Sequence, residues 1–462
     1  MCYSIGIRLS VKPMKFLCTH QDLMRGLGVV YRAVAVGRKA SSIESYILMQ
    51  VSDKGLLLTA FNGTLGMETL IPATVYEPGA STIKAKTFHD WVSKLDRQWS
   101  VLVEKKEKLE KMRVDDQMID MNMLKCSAGV LEEIEQVLEG TKKRSRAFSE
   151  FNGMLVDSFP DLPIAEASFF MASAAMLIEG IGYCKKFIGS SQREARHPAL
   201  VGIHMRIKND LLEFISTDGH RGAVYRSDEV SVANLGITVP GVALEEIRPL
   251  LSDAKLASFS LSLGGSPGNY NALVIEPPQD AELTEPGSKG KIWWRASLRL
   301  LGSNPPYPTV FVDDERSMPT KFSSRAILPV SEFKSSLERV KVFVDELGGA
   351  GAGCVFLEFS LQNRLLISGD ISASGGSKEE VEIQYSGVPA MIYLDGQYVL
   401  DILSLISTKS ILVQFNDPLR PIVFRPYGGE AERVPNITLS VMPVRYQLRG
   451  VPKDINPDKN RV

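Results

Sequence analysis

Apolar residues recur at helical spacing at the start of three long segments of the chain. In the first segment they stand at i, i+4, i+7 and i+11, which is one apolar face of a helix. Those positions are Leu23, Leu27, Val30 and Val34. The same pattern recurs twice further along, so it predicts helices over residues 21–34, 174–188 and 331–344.

Short runs rich in Val, Ile, Phe and Tyr follow each of these helices and are separated by turn residues, which indicates β-hairpins. The second strand of the hairpin starts at Leu56, Leu211 and Leu365, which are 155 and 154 positions apart. A second helix is predicted over residues 83–95, 239–251 and 394–406, with starts 156 and 155 apart. A period this long is a whole domain, so the chain is predicted to contain three similar α+β domains.

The repeat places the three domains at residues 14–165, 166–321 and 322–446. Residues 1–13 are interpreted as an N-terminal extension, because they lack a secretory apolar core. Residues 447–462 show no apolar period and are expected to be disordered. Two stretches that break the repeat, at about 129–150 and 265–290, are interpreted as insertions.

Composition narrows the class of protein. The chain is 44% hydrophobic and 23% charged, as in soluble globular proteins, and it holds no apolar run long enough to span a membrane. The five cysteines are scattered without a CxxC pair, which argues against a metal site or a disulfide framework and suits a reducing cytosol.

Basic residues lie off the apolar face of the first helix of each repeat, or just after that helix. They are Arg25, Arg32, Arg38, Lys185, Lys186, Arg193, Arg196, Lys334, Arg339 and Lys341. For any one helix a solvated polar face explains them equally well, but recurrence in all three repeats favours a surface that faces a polyanion. Because the net charge is −1, any DNA-binding charge must be segregated onto one surface.

Motifs for catalysis are weak. No P-loop, GxSxG or HExxH occurs, and the glycine run at residues 348–353 follows a helix and precedes a strand, so it is interpreted as a connector. Asp218 and His220 share a predicted turn, but the spacing provides no nucleophile or second carboxylate. The sequence therefore predicts no catalytic residue, metal site or cofactor, and a hydrolytic enzyme centred on Asp218 and His220 stays a remote alternative.

Seven short motifs in order resemble the bacterial-type DNA sliding clamp, the beta subunit of DNA polymerase III. The most specific is Thr-Asp-Gly-His-Arg at 217–221. The others are Met-Lys-Phe at 14–16, Glu-Pro-Gly-Ala at 77–80, Phe-Pro-Asp-Leu-Pro at 159–163, Tyr-Ser-Gly at 385–387, Tyr-Val-Leu-Asp at 398–401 and Val-Met-Pro-Val-Arg at 441–445. The resemblance implies antiparallel sheets outside, helices lining a pore, and a head-to-tail homodimer that forms a ring around duplex DNA.

The resemblance also implies an apolar pocket that accepts a short hydrophobic peptide from partner proteins. The matching positions are Leu200, Thr217, Gly219, His220, Arg221, Gly222, Pro305, Val310, Tyr398, Ser440, Met442, Pro443 and Arg445. Two of them depart from the family pattern, because Gly222 stands where a leucine is usual and Ser440 where a valine is usual. We therefore expect a shallower pocket or a different preferred motif.

Further residues follow from the same resemblance. Arg38 matches a pore arginine of the family. Val342 and Phe343 match one side of the ring interface, with Phe148 and Phe151 expected on the other side.

The sequence thus predicts a processivity factor for DNA replication without catalytic activity. Its expected partners are duplex DNA without sequence preference, a DNA polymerase catalytic subunit, a clamp loader, repair proteins with clamp-binding motifs, and a second copy of itself; no membrane is expected. The expected location is the cytoplasm, in association with the nucleoid, and an organellar or viral origin stays open. A clamp-derived peptide-binding hub that does not encircle DNA is the main alternative.

Overall fold

The structure is a computed structural model. It describes residues 13–35, 43–106, 110–114, 117–142, 145–163, 167–189, 198–230, 235–266, 269–278, 293–301, 319–347, 353–370, 375–428 and 434–445. The predictions that concern Arg38, Arg193, Arg196, Pro305, Val310, residues 1–12 and residues 447–462 lie outside the described residues.

Seven α-helices occur in the described part of the chain. They are α1 His20–Val30, α2 Ala85–Val92, α3 Leu131–Leu138, α4 Ala174–Cys184, α5 Gly241–Asp253, α6 Val330–Val344 and α7 Gly396–Leu403. The three predicted first helices are confirmed as α1, α4 and α6, and the first two continue as single 3-10 turns, Tyr31–Ala33 and Lys185–Phe187. The second helices, α2, α5 and α7, begin two residues later than predicted, because the preceding residues complete a strand.

The cap and the buried face of α1 show why this segment is helical. The Thr19 hydroxyl accepts a hydrogen bond from the backbone N–H of Asp22 at 3.1 Å, which satisfies a free donor of the first turn. Leu23, Leu27 and Val30 are fully buried, as their spacing predicts.

The strand pairs of known register, such as β14 with β27 and β18 with β4, are antiparallel, which confirms an α+β fold. The strands are β1 Lys15–Thr19, β2 Tyr46–Ser52, β3 Gly55–Phe61, β4 Leu65–Ile71, β5 Thr74–Glu77, β6 Gly79–Lys84, β7 Ser100–Lys105, β8 Glu110–Val114, β9 Gln117–Gly129, β10 Ala147–Gly153, β11 Ala167–Ser173, β12 Gly202–Lys208, β13 Leu211–Thr217, β14 Arg221–Val230, β15 Gly236–Pro240, β16 Ser258–Ser266, β17 Asn269–Glu276, β18 Trp293–Arg299, β19 Ser324–Pro329, β20 Cys354–Ser360, β21 Arg364–Ser368, β22 Lys378–Glu382, β23 Gln384–Ser386, β24 Ala390–Asp395, β25 Ser410–Phe415, β26 Ile422–Tyr427 and β27 Ile437–Val441.

The chain forms two compact units. One comprises the described residues of 1–179 and 237–303, and its sheets run β10-β9-β7-β1-β5 and β11-β16-β17-β18-β4-β3-β2-β6. The other comprises those of 180–236 and 304–462, with sheets β12-β13-β14-β27-β26-β25-β19-β23 and β22-β21-β20-β24. The predicted second domain therefore contributes residues to both units, and the three-domain division stays a prediction about the repeat.

Both predicted insertions contain regular secondary structure, and their limits stay a prediction. Ala147–Gly153 is a strand paired with β9, and α3 precedes it, with Ile134 buried against Leu17 and Leu102. In the second insertion Asn269–Glu276 pairs with β16, and its apolar residues Leu273 and Ile275 are buried. No helix in the described ranges is long and apolar enough to cross a membrane.

Candidate partner-binding site

Three chain segments meet at one end of the β12–β23 sheet. Strand β14 pairs with β27 so that Arg221 is opposite Val441, and the backbone N–H of Met442 donates to the carbonyl of His220 at 2.8 Å. The turn before β14 and the segment after β27 are therefore adjacent. Val444 N–H then donates to the Tyr393 carbonyl at 2.8 Å, which holds the same segment beside β24.

The Thr-Asp-Gly-His-Arg motif forms a tight turn whose polar side chains bind its own backbone. The Thr217 hydroxyl donates to the Arg221 carbonyl at 2.7 Å and accepts from Gly219 N–H at 3.1 Å. Asp218 Oδ1 accepts from the N–H groups of His220 and Arg221, both at 2.9 Å. Gly219 has a φ of +87°, a conformation that favours glycine.

Arg221 is the centre of the polar contacts at this end of the sheet. Its Nε donates to Asp218 Oδ2 at 2.9 Å, and an Nη nitrogen donates to Asp401 Oδ2. The guanidinium lies 4.4 Å from the ring centre of Tyr398 and 5.4 Å from that of Phe187. Burial lowers the pKa of Arg221, but its hydrogen bonds to Asp401 and Asp218 outweigh burial and raise the pKa above the usual value.

These bonds also bear on the enzyme hypothesis. Both Asp218 oxygens are used, one by the turn backbone and one by Arg221, so the carboxylate has a structural role in the turn. No group of three or more His, Cys, Asp or Glu in the described part of the chain could hold a metal ion.

The predicted pocket residues divide into an accessible group and a buried group. Met442 is 38% exposed, His220 and Arg445 are also exposed, and Tyr398 and Pro443 are half-buried. The buried positions are Leu200, Thr217, Gly222 and Ser440. On the paired strands, Thr217 lies opposite Gly222, and Gly222 lies opposite Ser440. The backbone carbonyl of Leu200 accepts a hydrogen bond from Gly189 N–H at 2.7 Å.

The sequence patterns did not identify three residues near these groups. Phe187 and Asp401 contact Arg221 directly, and Leu419, which is 67% exposed, lies in the turn before β26. Because Ile422 is opposite Val441, that turn lies at the same end of the sheet as Met442. Asp401 ends the Tyr-Val-Leu-Asp motif, which was the only available sequence signal for it.

Most of the described basic residues proposed to face DNA have acidic neighbours. The pairs are Arg25–Asp22 at 3.8 Å, Arg32–Glu246 at 3.7 Å, Lys334–Glu338 at 4.0 Å, Arg339–Glu379 at 2.6 Å and Lys341–Asp345 at 2.6 Å. Lys186 Nζ donates instead to the Ser404 hydroxyl at 2.7 Å, and Lys185 is half-buried in the same 3-10 turn. Arg32 also donates to the Glu246 carbonyl at 3.2 Å, so it joins the end of α1 to α5.

The predicted ring-interface residues differ in exposure. Val342 on α6 is 63% exposed, Phe343 is half-buried, and Phe148 on β10 is 38% exposed. Phe151 is instead a core residue, with its ring edge-on to Phe88 and Trp91 at centroid distances of 5.5 Å. Its side chain points to the opposite face of β10 from the exposed neighbour Glu150, and its place in the ring interface stays a prediction.

Comparison with known protein families gives two matches of one family at the two ends of the chain. Residues 14–127 match the N-terminal domain of the DNA polymerase III beta subunit, and residues 315–444 match its C-terminal domain. Together these segments cover more than half of the chain.

Relatives and solved structures agree with those matches. The chain is 26% identical over 447 residues to the beta sliding clamp of Synechococcus elongatus, covering 95% of this chain and all of that one, and 26% identical over 451 residues to that of Synechocystis, covering 94% and 99%. Its fold is similar to crystal structures of the Caulobacter crescentus clamp (TM-score 0.72, 20% identity) and of the Pseudomonas aeruginosa clamp bound to griselimycin (TM-score 0.71, 17% identity). Each covers 94% of this chain and the whole of the solved chain.

Proposed function

Since the chain belongs to the DNA polymerase III beta subunit family of sliding clamps, we propose that two copies of it close head to tail around duplex DNA and tether DNA-processing proteins through the Arg221–Met442 end of the β12–β23 sheet. The observation that carries this proposal is the meeting of the 217–221 and 441–445 motifs at that end. Its partners would be a polymerase catalytic subunit, a clamp loader and repair proteins, in the cytoplasm.

The exposed residues at this end of the sheet suit a hydrophobic peptide. Met442 and Leu419 present flexible apolar side chains, and a thioether adapts to ligands of different shape. His220 and Arg445 add polar groups that can fix the orientation of a bound peptide. The Asp218 and Asp401 carboxylates are both bound to Arg221, so neither opposes an acidic residue in a partner.

In the described part of the chain, the free edges of two strands support the proposal that a second copy closes the ring. β10 is the last strand of the β10–β5 sheet and β22 is the last strand of the β22–β24 sheet, so each has one paired edge among the described strands. Phe148 lies on β10, and Val342 lies on α6, which packs against β22. Unpaired strand edges flanked by exposed apolar side chains favour association with a partner.

A ring explains why weak DNA contacts suffice. A closed ring is held on DNA by topology, so its contacts to phosphates need only be weak and independent of sequence. The acidic neighbours of Arg339, Lys341 and Arg25 reduce the attraction of each cation for phosphate, which suits sliding.

The peptide-binding part of the proposal is tested with a fluorescent peptide from a bacterial polymerase that carries a clamp-binding motif. We expect micromolar binding, weakened about tenfold by Met442→Ala because buried apolar contact is lost. Met391→Ala is the matched control, since Met391 is 54% exposed on β24 and is not a proposed pocket residue. Equal binding by wild type and Met442→Ala would overturn this part of the proposal.

The ring is tested separately, because the alternative of a peptide-binding hub also predicts peptide binding. The protein is loaded onto nicked circular DNA with a bacterial clamp loader, and retention is measured by gel filtration before and after linearisation. Retention that is lost on linearisation supports the ring. A protein that is monomeric at micromolar concentration and is not retained on circles would favour the hub.

A further inference from the structure

Asp401 contacts the partner site through Arg221, yet neither the repeat pattern nor the family motifs gave it a role. Its Oδ2 accepts a hydrogen bond from Arg221, and its Oδ1 accepts one from the Gln397 side chain at 3.1 Å. Arg221 lies 180 positions earlier in the sequence. The ion pair therefore joins α7 to the start of β14, within one compact unit.

Asp401 is the middle one of three residues on one side of α7 that contact other segments of the chain. Tyr398, Asp401 and the helix C-cap Ser404 are three residues apart, so they share one side of the helix. Tyr398 stacks on the guanidinium of Arg221, and the Ser404 hydroxyl accepts from Lys186. This side of α7 thus makes all three contacts to residues of the segment 180–236.

The position of the Tyr398 ring depends on this arrangement. One neighbour of the ring is the Arg221 guanidinium at 4.4 Å, and another is the His220 ring, stacked at a centroid distance of 6.5 Å. The side chains of Arg221 and Asp218 are 12% exposed and that of Asp401 is 23% exposed. A charge-assisted hydrogen bond in a largely buried place is strong, and loss of one partner lets the remaining charge move toward water.

We propose that Asp401 is a positioning residue of the partner site: by holding Arg221 against the Tyr398 ring, it fixes the wall that a bound peptide contacts. The expected effect on peptide binding rests on the proposed function, whereas the restraint that Asp401 and Arg221 place on the Tyr398 ring does not. Asp401 itself need not touch the peptide.

The first test is a double-mutant cycle on the full chain, with the fluorescent polymerase peptide as probe. Asp401→Asn should weaken binding about tenfold, and it should have no further effect in a Tyr398→Ala background, because both changes act through the same ring. Asp345→Asn is the matched control, since Asp345 is also paired with a cation, Lys341, in the same compact unit. Equal affinities of wild type and Asp401→Asn, or additive losses in the double variant, would overturn the proposal.

A second readout separates positioning from loss of stability and from failure of the proposed function. With 3-fluorotyrosine incorporated and the resonance assigned by Tyr398→Phe, the ¹⁹F signal of Tyr398 should shift or broaden in Asp401→Asn and not in Asp345→Asn. Asp401→Glu should restore part of the wild-type signal. An unchanged signal in Asp401→Asn would overturn the positioning role even if no peptide binds. Absence of peptide binding by wild type, with the ¹⁹F change present, would overturn only the proposed function.

Discussion

Gly222 and Ser440 lie directly opposite each other on the paired strands β14 and β27. Both are buried, and Val423 is the next residue across the sheet from Ser440. The two positions at which the sequence resemblance predicts a departure from the family pattern are thus neighbours in the sheet. If the family's leucine and valine stood there, they would add apolar surface at a single place beside the predicted pocket.

Ser440→Val should restore part of that apolar surface. The side chain is 1% exposed, and valine replaces a hydroxyl with a methyl and adds a second methyl, so affinity for a hydrophobic clamp-binding peptide should rise about three- to fivefold. Fluorescence anisotropy measures the change. Thr438→Val, two pairs along the same strand, is the control that should leave affinity unaltered. A fall in affinity of Ser440→Val would contradict this prediction.

Val342→Glu should convert the proposed dimer to monomer. Val342 is 63% exposed on α6, and a carboxylate buried in an apolar interface without a partner costs several kcal/mol. Analytical ultracentrifugation at micromolar concentration would show the change. Val242→Glu is the control, because Val242 is 69% exposed on another helix. If both variants stay dimeric, α6 does not line the interface.

Alanine substitutions of Arg32 and Arg25 should distinguish a structural role from a DNA-binding role. Arg32→Ala removes the bonds to Glu246 and should lower the free energy of unfolding by about 1–2 kcal/mol without changing DNA affinity. Arg25→Ala should leave stability within about 0.5 kcal/mol but reduce the salt slope of binding to a short duplex by about one. Thermal unfolding and fluorescence titrations at several salt concentrations measure both. If Arg32→Ala lowered DNA affinity without changing stability, Arg32 would be a DNA contact and would have no structural role.

Helical apolar periodicity predicted α1, α4 and α6 closely, because burial of one face decides those segments. Strand register was not predictable, since it depends on which distant strands pair. Whether a strand residue faces the core or water follows from register, so the sequence did not indicate that Phe151 packs on Phe88 and Trp91.

The proposed partner site was predictable only in part. The 217–221 and 441–445 motifs were identified by resemblance, and the pairing of β14 with β27 brings them together. The roles of Asp401 and Phe187 arise from contacts to Arg221 across 180 and 34 positions of sequence, and no local pattern encodes such contacts. The sequence could not decide the role of Arg32, because a basic residue at a helix end has the same pattern whether it meets phosphate or a neighbouring carbonyl.

His204 should make the protein less stable in mild acid. It is 7% exposed on β12, and burial, together with the nearby positive charge of Arg206, lowers its pKa to about 4, although Glu213 opposes the shift. Glu213 is itself bound to Arg206 at 2.8 Å and Arg226 at 2.7 Å, so its negative charge is largely offset.

The sign of the pH effect follows from that lowered pKa. Above pH 6.5 His204 is neutral in both states, whereas between pH 6.5 and about 4 the unfolded chain takes up a proton that the folded chain does not. Folding stability should therefore fall over this range, by at most about 3 kcal/mol from this residue. Urea unfolding of wild type and His204→Gln at pH 7 and pH 5 tests this, since carboxylates titrate alike in both proteins. The stability advantage of wild type should shrink at pH 5; an unchanged difference between the two proteins would mean that His204 takes up a proton as readily in the folded state.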